Sequence, residues 1–259
     1  LRINGCCTGT FSAIQFDEHA RDLIESDLSV WTATDQNGAL NKSANGSDSS
    51  CNNWASDDNN IFSVNGRGDQ TVYRWTSSTK TRCEDSASLY CFQVSPGDPV
   101  LPVYKVKNAK KVFVTSISGT GDLSSWPGAN GQSGALAGKQ ICQTLASEAG
   151  LANADKFIPW LSDSTKEAVD RLQGKGPWAR RDGIVVAKTK ADLLDGSIFT
   201  SIAQTEKKED YLSGGVWTGS SVSGLCKDCR LMTCESWSSA SPNQTGRVGQ
   251  AHNANNGWT

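Results

Sequence analysis

The chain has 259 residues, of which 37% are hydrophobic and 20% charged, with a formal net charge of -2. That is enough apolar material for one large domain or two small ones. No Lys/Arg stripe alternates with aromatics, which argues against a nucleic-acid partner, and no apolar run approaches the length of a membrane-spanning helix.

The missing charge is replaced by Ser, Thr, Asn and Gly, and with nine tryptophans this reads as a loop-rich extracellular module whose irregular backbone is held by aromatic rings. The chain opens at Leu1 without a signal-peptide pattern and reads as a mature product or a fragment. Nine cysteines beside one methionine favour an oxidising compartment, and disulfides over metal. An odd number leaves at least one thiol free or paired between chains.

In chain order, the spacing predicts a short helix over Asp17–Ser26, with Ala20, Leu23 and Ile24 on one face. Residues 33–50 form a polar loop. Asn41 and Asn45 there sit in N-x-S sequons, and Asn243 sits in N-x-T; all three read first as turn residues. Leu89-Tyr90-Cys91-Phe92 reads as a closing strand. Residues 94–102, with three prolines, are the linker between a unit at 1–93 and a second at 103–259. The second unit opens with apolar, β-branched runs at 103–106 and 111–116 and a glycine-rich loop at 118–134. An amphipathic helix follows over Ala135–Ala149, with Leu136, Ile141, Cys142 and Leu145 on one face and Gly150 as its stop. A strand and turn at Phe157–Asp163, a short helix at Thr165–Leu172 and a strand at Ile184–Ala187 complete that half.

One frame occurs twice. Val30-Trp31-Thr32, Cys51-Asn52-Asn53-Trp54 and Arg74-Trp75-Thr76 are matched by Val216-Trp217-Thr218, Cys234-Glu235-Ser236-Trp237 and Gly257-Trp258-Thr259. From Cys51 to Trp75 is 24 positions, as is Cys234 to Trp258, and Gly66 and Gly249 share one offset within that span. Trp31 precedes its cysteine by 20 residues and Trp217 by 17, so the first copy carries a three-residue insertion. Such a repeat sets the architecture before any single element does.

Phe113-Val114-Thr115-Ser116, Ile141-Cys142-Gln143, Trp160-Leu161-Ser162-Asp163, Arg181-Asp182-Gly183, Val216-Trp217-Thr218-Gly219 and Cys234-x-x-Trp237 occur in that order. Together they resemble a bacterial family of unknown function found in secreted and surface proteins, whose fold is similar to the C-type-lectin-like fold of endostatin. The resemblance spans 111–259, and 1–93 as a C-terminal half. It implies an α+β, disulfide-braced fold: one near-complete lectin-like unit lacking its closing strand, plus a half unit. It further implies that Cys51 joins Cys83, and that Cys142 and Cys234 join partners beyond Thr259. Closing the 51–83 loop would contribute roughly 3–4 kcal/mol. A unit with an unpaired strand edge is prone to association, so completion of one subunit by another is a second expectation.

Cys226-Lys227-Asp228-Cys229 has CxxC spacing and with Cys234 offers three thiolates, approachable by His252, yet a closed zinc site needs four ligands. A local disulfide is the expectation there. Cys6 and Cys7 are adjacent, and one of them is expected to reach Cys91. Asp57-Asp58-Asn59-Asn60 could supply oxygen ligands to calcium but reads first as a turn, so no cofactor is required. Arg67-Gly68-Asp69 matches an integrin-type tripeptide. Trp126 and Trp178 are candidate ligand-facing rings, whereas Trp217 reads as core. No nucleophile elbow, zinc-protease helix or phosphate loop occurs, and Asp163, Asp170, Asp182 and Asp195 read as caps. The expected function is non-enzymatic. It is a secreted or cell-surface module for adhesion or ligand binding, with a surface ligand (a glycan among the candidates) or further copies of itself as partner. The alternative is a subunit of a surface filament assembled by complementation.

Overall fold

A computed structural model describes residues 10, 13–19, 21, 23, 28–42, 49–71, 73–92, 94, 106, 108–211 and 214–259. Cys6, Cys7, Asn45, the strand expected at 103–106 apart from Val106, and nearly all of the expected linker lie outside them. The fold is mixed α/β with small sheets and, among the described residues, one disulfide, Cys51–Cys83. The chain divides into two units, residues 1–103 and 104–259.

In the first unit, β1 (Ser29–Trp31), β2 (Phe62–Arg67) and β3 (Thr79–Arg82) form an antiparallel sheet in that order. β2 is the central strand, paired on both edges, and its burial does not alternate: Phe62 is exposed while Ser63 to Gly66 are all buried. Where a helix is expected at Asp17–Ser26, the described residues instead make a turn. Asp17 N–H donates to Arg21 O at 3.1 Å and Leu23 N–H to Gln15 O at 2.9 Å. The Asp17 carboxylate accepts the amides of His19 and Arg21, a side-chain-to-backbone turn that outcompetes helix. Leu89–Phe92 is not a strand; the residue before it, Ser88, bridges Val30 in parallel.

In the second unit, β4 (Lys110–Lys111) pairs in parallel with β5 (Trp178–Ala179), which pairs antiparallel with β6 (Val185–Ala187). The run at 111–116 is thus mostly not strand, and its Val114 makes a single bridge to Thr205. Phe157–Asp163 carries no strand pairing, and the helix expected at Thr165–Leu172 shortens to Ala168–Arg171. The long helix spans Gly134–Glu148 and stops at Ala149 before Gly150, whose φ of +66 suits a residue without Cβ. It buries Ala137, Gly138, Ile141, Leu145 and Ala146. Leu136, placed by periodicity on the buried face, is 63% exposed. In that first turn it is Ala137, next to Leu136, that meets the core. That core is Leu123, Ala129, Ala137, Ile141, Leu145, Leu161 and Trp237. β7 (Gly215–Trp217) and β8 (Val248–Gln250) form an antiparallel pair on which no third strand lies among the described residues.

Candidate functional site

The duplicated frame of the sequence is a duplicated geometry. Val30 pairs with Gly66, and Val216 pairs with Gly249, in the same antiparallel register. Each glycine lies under the backbone of the following tryptophan. A Cβ on Gly66 would come within 2.0 Å of Trp75 O, and one on Gly249 within 2.2 Å of Trp258 O. Only glycine permits that approach. Thr34 Oγ1 meets Thr76 Oγ1 in one unit, and Ser220 Oγ meets Thr259 Oγ1 in the other. Trp31 packs on Trp54 at 6.1 Å between ring centroids and Trp217 on Trp237 at 5.9 Å, both steeply tilted.

At the centre of each frame the Cys-x-x-Trp segment is a full turn of left-handed helix. Its φ values run 51, 55, 57, 64 from Cys51 to Trp54 and 47, 55, 58, 68 from Cys234 to Trp237. Left-handed helix costs about 1–2 kcal/mol per L-residue, so each turn must be held by its surroundings. The polar groups are matched one for one. Ser50 Oγ accepts Asn53 N–H at 3.0 Å, and Thr233 Oγ1 accepts Ser236 N–H at 3.2 Å. Trp54 N–H donates to Ser50 O and Trp237 N–H to Thr233 O, both at 2.7 Å. Asn52-Asn53 is the sequence signal for this conformation, since Asn tolerates it. Glu235-Ser236 conceals it in the second copy.

The two frames differ in what covers them. Trp237 is 0% exposed, its Nε1 donating to Ser162 O at 2.7 Å beneath the long helix. Trp54 is 52% exposed, and Phe62 and the polar turn 57–60 that follow it in the chain are exposed as well. In that turn Asp58 Oδ1 accepts both Asn60 N–H at 2.8 Å and Asn60 Nδ2 at 3.0 Å, while Asp57, Asn59 and Asn60 stay exposed. Sequence reasoning singled out the turn but missed Trp54 and Phe62, because burial of one repeat partner and exposure of the other leaves no trace in local pattern.

Other expected site residues serve packing. Trp178 is buried in β5 with Lys110 Nζ 5.7 Å from its ring centroid. Trp126 is half-buried against the core, its Nε1 donating to Thr120 O at 2.9 Å. Trp217 also borders the core and donates from Nε1 to Gly119 O at 3.1 Å. Asp69 of the Arg-Gly-Asp triplet is buried and clamped by Arg67 at 2.9 and 3.0 Å, so the tripeptide is folded inward rather than presented.

Of the cysteines, Cys51 and Cys83 are bridged, whereas Cys91, Cys142, Cys226, Cys229 and Cys234 are thiols. The local Cys226–Cys229 bridge expected from spacing is not formed. Cys229 starts a helical turn and its Sγ donates to Cys226 O at 3.2 Å. Burial, with Cys229 alongside, pushes the Cys226 thiol up to about 12, the opposite of a redox-active CxxC. Burial likewise pushes Cys142 up to about 12. No group of three or more His, Cys, Asp or Glu converges as a metal cage among the described residues.

The carboxylates are spread. Asp163 caps its own turn and pairs with Arg171; Asp182 pairs with Arg180; Asp195 accepts Ser197 N–H; Asp170 lies in the helical turn Ala168–Arg171. Two surface hollows are lined mainly by polar residues, one against the long helix at Gln140, Gln143 and Asp155, the other at Asp228, Arg230 and Glu235. No protein-family model and no curated protein matches the chain.

Proposed function

We propose that this protein is a non-enzymatic secreted or cell-surface module that binds a surface ligand through its first unit. The observation carrying this reading is the asymmetry of a conserved geometry: the same left-handed turn buries Trp237 completely and leaves Trp54 52% exposed. An exposed indole, in a unit that also exposes Phe62 and the acid and amide groups of residues 57–60, offers an apolar face and hydrogen-bonding groups, the chemistry that recognises a sugar ring. Calcium bound at Asp57–Asn60 would extend it. The Cys51–Cys83 bridge supports an oxidising, extracellular setting. It is also the pairing implied by the resemblance to the endostatin-like, C-type-lectin-like family, to which we assign the fold of both units.

Binding of the whole chain to a panel of immobilised bacterial and animal glycans, with calcium and with a chelator, tests the reading. Retention that Trp54→Ala abolishes and Leu136→Ala leaves intact is expected. Equal retention of Trp54→Ala would overturn it.

A second reading, assembly through completion of one unit by another, rests on a separate observation: among the described residues the β7–β8 pair has no third strand, whereas β1–β2 has one. Exposed strand edges recruit strands.

A further inference from the structure

The β4–β5–β6 sheet gathers charges that lie far apart in the chain. Lys110 stands opposite Trp178 in a parallel pairing, and Trp178 stands opposite Ala187 in an antiparallel one. That register brings three segments to one end of the sheet: Lys110 itself, residues 172–177 leading into β5, and Lys188 to Lys190 following β6. Lys110 Nζ donates to Gly176 O at 3.1 Å, and Lys190 Nζ donates to Leu172 O at 3.1 Å. Lys175 lies between those two carbonyls in the chain. Lys188 adjoins the same loop, since a Cβ on Gly176 would come within 2.5 Å of Lys188 O. Lys110, Lys175 and Lys188 are exposed, and Lys190 is half-buried.

Four lysines are thus gathered around one short loop, in a chain whose net charge is -2. The carboxylates that accompany them are fewer. Asp192 is taken up by Lys188 N–H at 2.8 Å, Thr189 N–H at 2.9 Å and the Thr189 hydroxyl at 2.8 Å. Asp170 stands exposed just before the loop. Asp163 and Asp182 already pair with Arg171 and Arg180. Like charges gathered in one place repel, and a polyanion relieves that repulsion. The ammonium groups are also held against the protein. Besides the two carbonyl bonds, Lys110 Nζ lies 5.7 Å from the Trp178 ring centroid and Lys188 Nζ 5.1 Å from that of Phe199. Groups fixed in this way suit a flexible polymer that settles among them. A flat bilayer needs long side chains free to reach its headgroups. A rigid duplex, with one charge per about 1.7 Å, presents far more charge than four lysines neutralise.

We infer that this end of the β4–β5–β6 sheet is a binding patch for an acidic glycopolymer carrying phosphate or sulfate esters, with Lys110, Lys175, Lys188 and Lys190 as its cationic contacts. The patch belongs to the second unit and Trp54 to the first, so it adds a ligand class to the Trp54 reading without relying on it. Each ammonium group pairs with an ester oxyanion and releases the counterion held there, which makes affinity steeply salt-dependent. The carbonyl bonds of Lys110 and Lys190 use one N–H each and leave the others for ester oxygens.

The test is titration of the whole chain with a phosphomannan oligosaccharide and with a dextran sulfate oligosaccharide of matched charge. Binding of either upholds the patch, and the tighter arm identifies the ester. Affinity should fall roughly tenfold or more between about 50 and 150 mM NaCl, a readout that needs no variant protein. Lys175→Gln with Lys188→Gln should weaken binding about tenfold and flatten the salt slope by about one per lysine. Lys175→Arg with Lys188→Arg should bind like the wild type. Lys139→Gln with Lys227→Gln removes the same charge from exposed positions elsewhere in the second unit and should leave affinity and slope as they were. No binding in either arm, no salt dependence, or an equal loss in the Lys139 and Lys227 variant would overturn the patch. Tighter binding of a short DNA duplex or of phosphatidylglycerol vesicles would overturn the partner class. Trp54→Ala should leave this binding intact, and its loss there would place the polymer on the first unit and overturn the patch. A failure of Trp54 in the glycan panel leaves the patch standing, so the two readings fail separately.

Discussion

At the scale of single residues, matched positions in the two units carry different energetic weight, and that difference is measurable. Trp237 is fully enclosed and Trp54 half exposed, so Trp237→Ala should cost about 3–5 kcal/mol in denaturant unfolding and Trp54→Ala only about 1 kcal/mol. Comparable losses at both sites would show that Trp54 is covered in solution. Gly66→Ala and Gly249→Ala should each destabilise by about 3 kcal/mol or more, since the added methyl meets a backbone carbonyl that cannot swing aside. In the second left-handed turn Glu235 adopts φ 55, a conformation Asn tolerates better than Glu. Glu235→Asn should therefore raise stability by about 0.5–1 kcal/mol, and a loss of stability would mean that the exposed bond to Gln244 matters more than the backbone.

At the scale of elements, the short strands of the first unit depend on their cross-link. The bridge closes a separation of 32 residues, so Cys51→Ser with Cys83→Ser should lower stability by roughly 3–4 kcal/mol in the chain-entropy picture. The same cost should follow reduction of the wild-type chain, whereas the Cys226→Ser variant should unfold at the wild-type midpoint because its thiol is unbridged. The long helix shows how an element is legible while its rotation is not. Its span and stop follow from periodicity and Gly150. Leu136 falls outside the buried stripe because the contacts come from Leu123, Leu161 and Trp237, residues remote in the chain.

For the whole molecule, acid sensitivity should centre on Asp163. Burial works to raise its pKa, but hydrogen bonds from Thr165 and Lys166 and the charge of Arg171 outweigh that and hold the carboxyl below its usual range. A depressed folded pKa contributes stability that is complete above the unfolded value of 3.8 and is lost as pH falls through the folded one. The urea midpoint should thus fall below about pH 4 in the wild type. In Asp163→Asn it should start lower at neutral pH and change less on acidification. A wild-type slope retained in full by the variant would assign the effect to other carboxylates.

The sequence by itself determined the duplication, the matched placing of Gly66 and Gly249 within it and the long helix. These are properties of order and spacing, and strand register and helix period translate spacing directly into geometry. The polar turn at residues 57–60 was legible for the same reason. Only the tertiary structure decided that Cys226 and Cys229 stay apart, that Trp178 is buried and that Arg67 folds back onto Asp69. It alone decided that one of two matched indoles faces solvent. Burial is set by what packs from elsewhere in the chain: the long helix and Ser162 close over Trp237, and the first unit, among its described residues, brings nothing equivalent to Trp54.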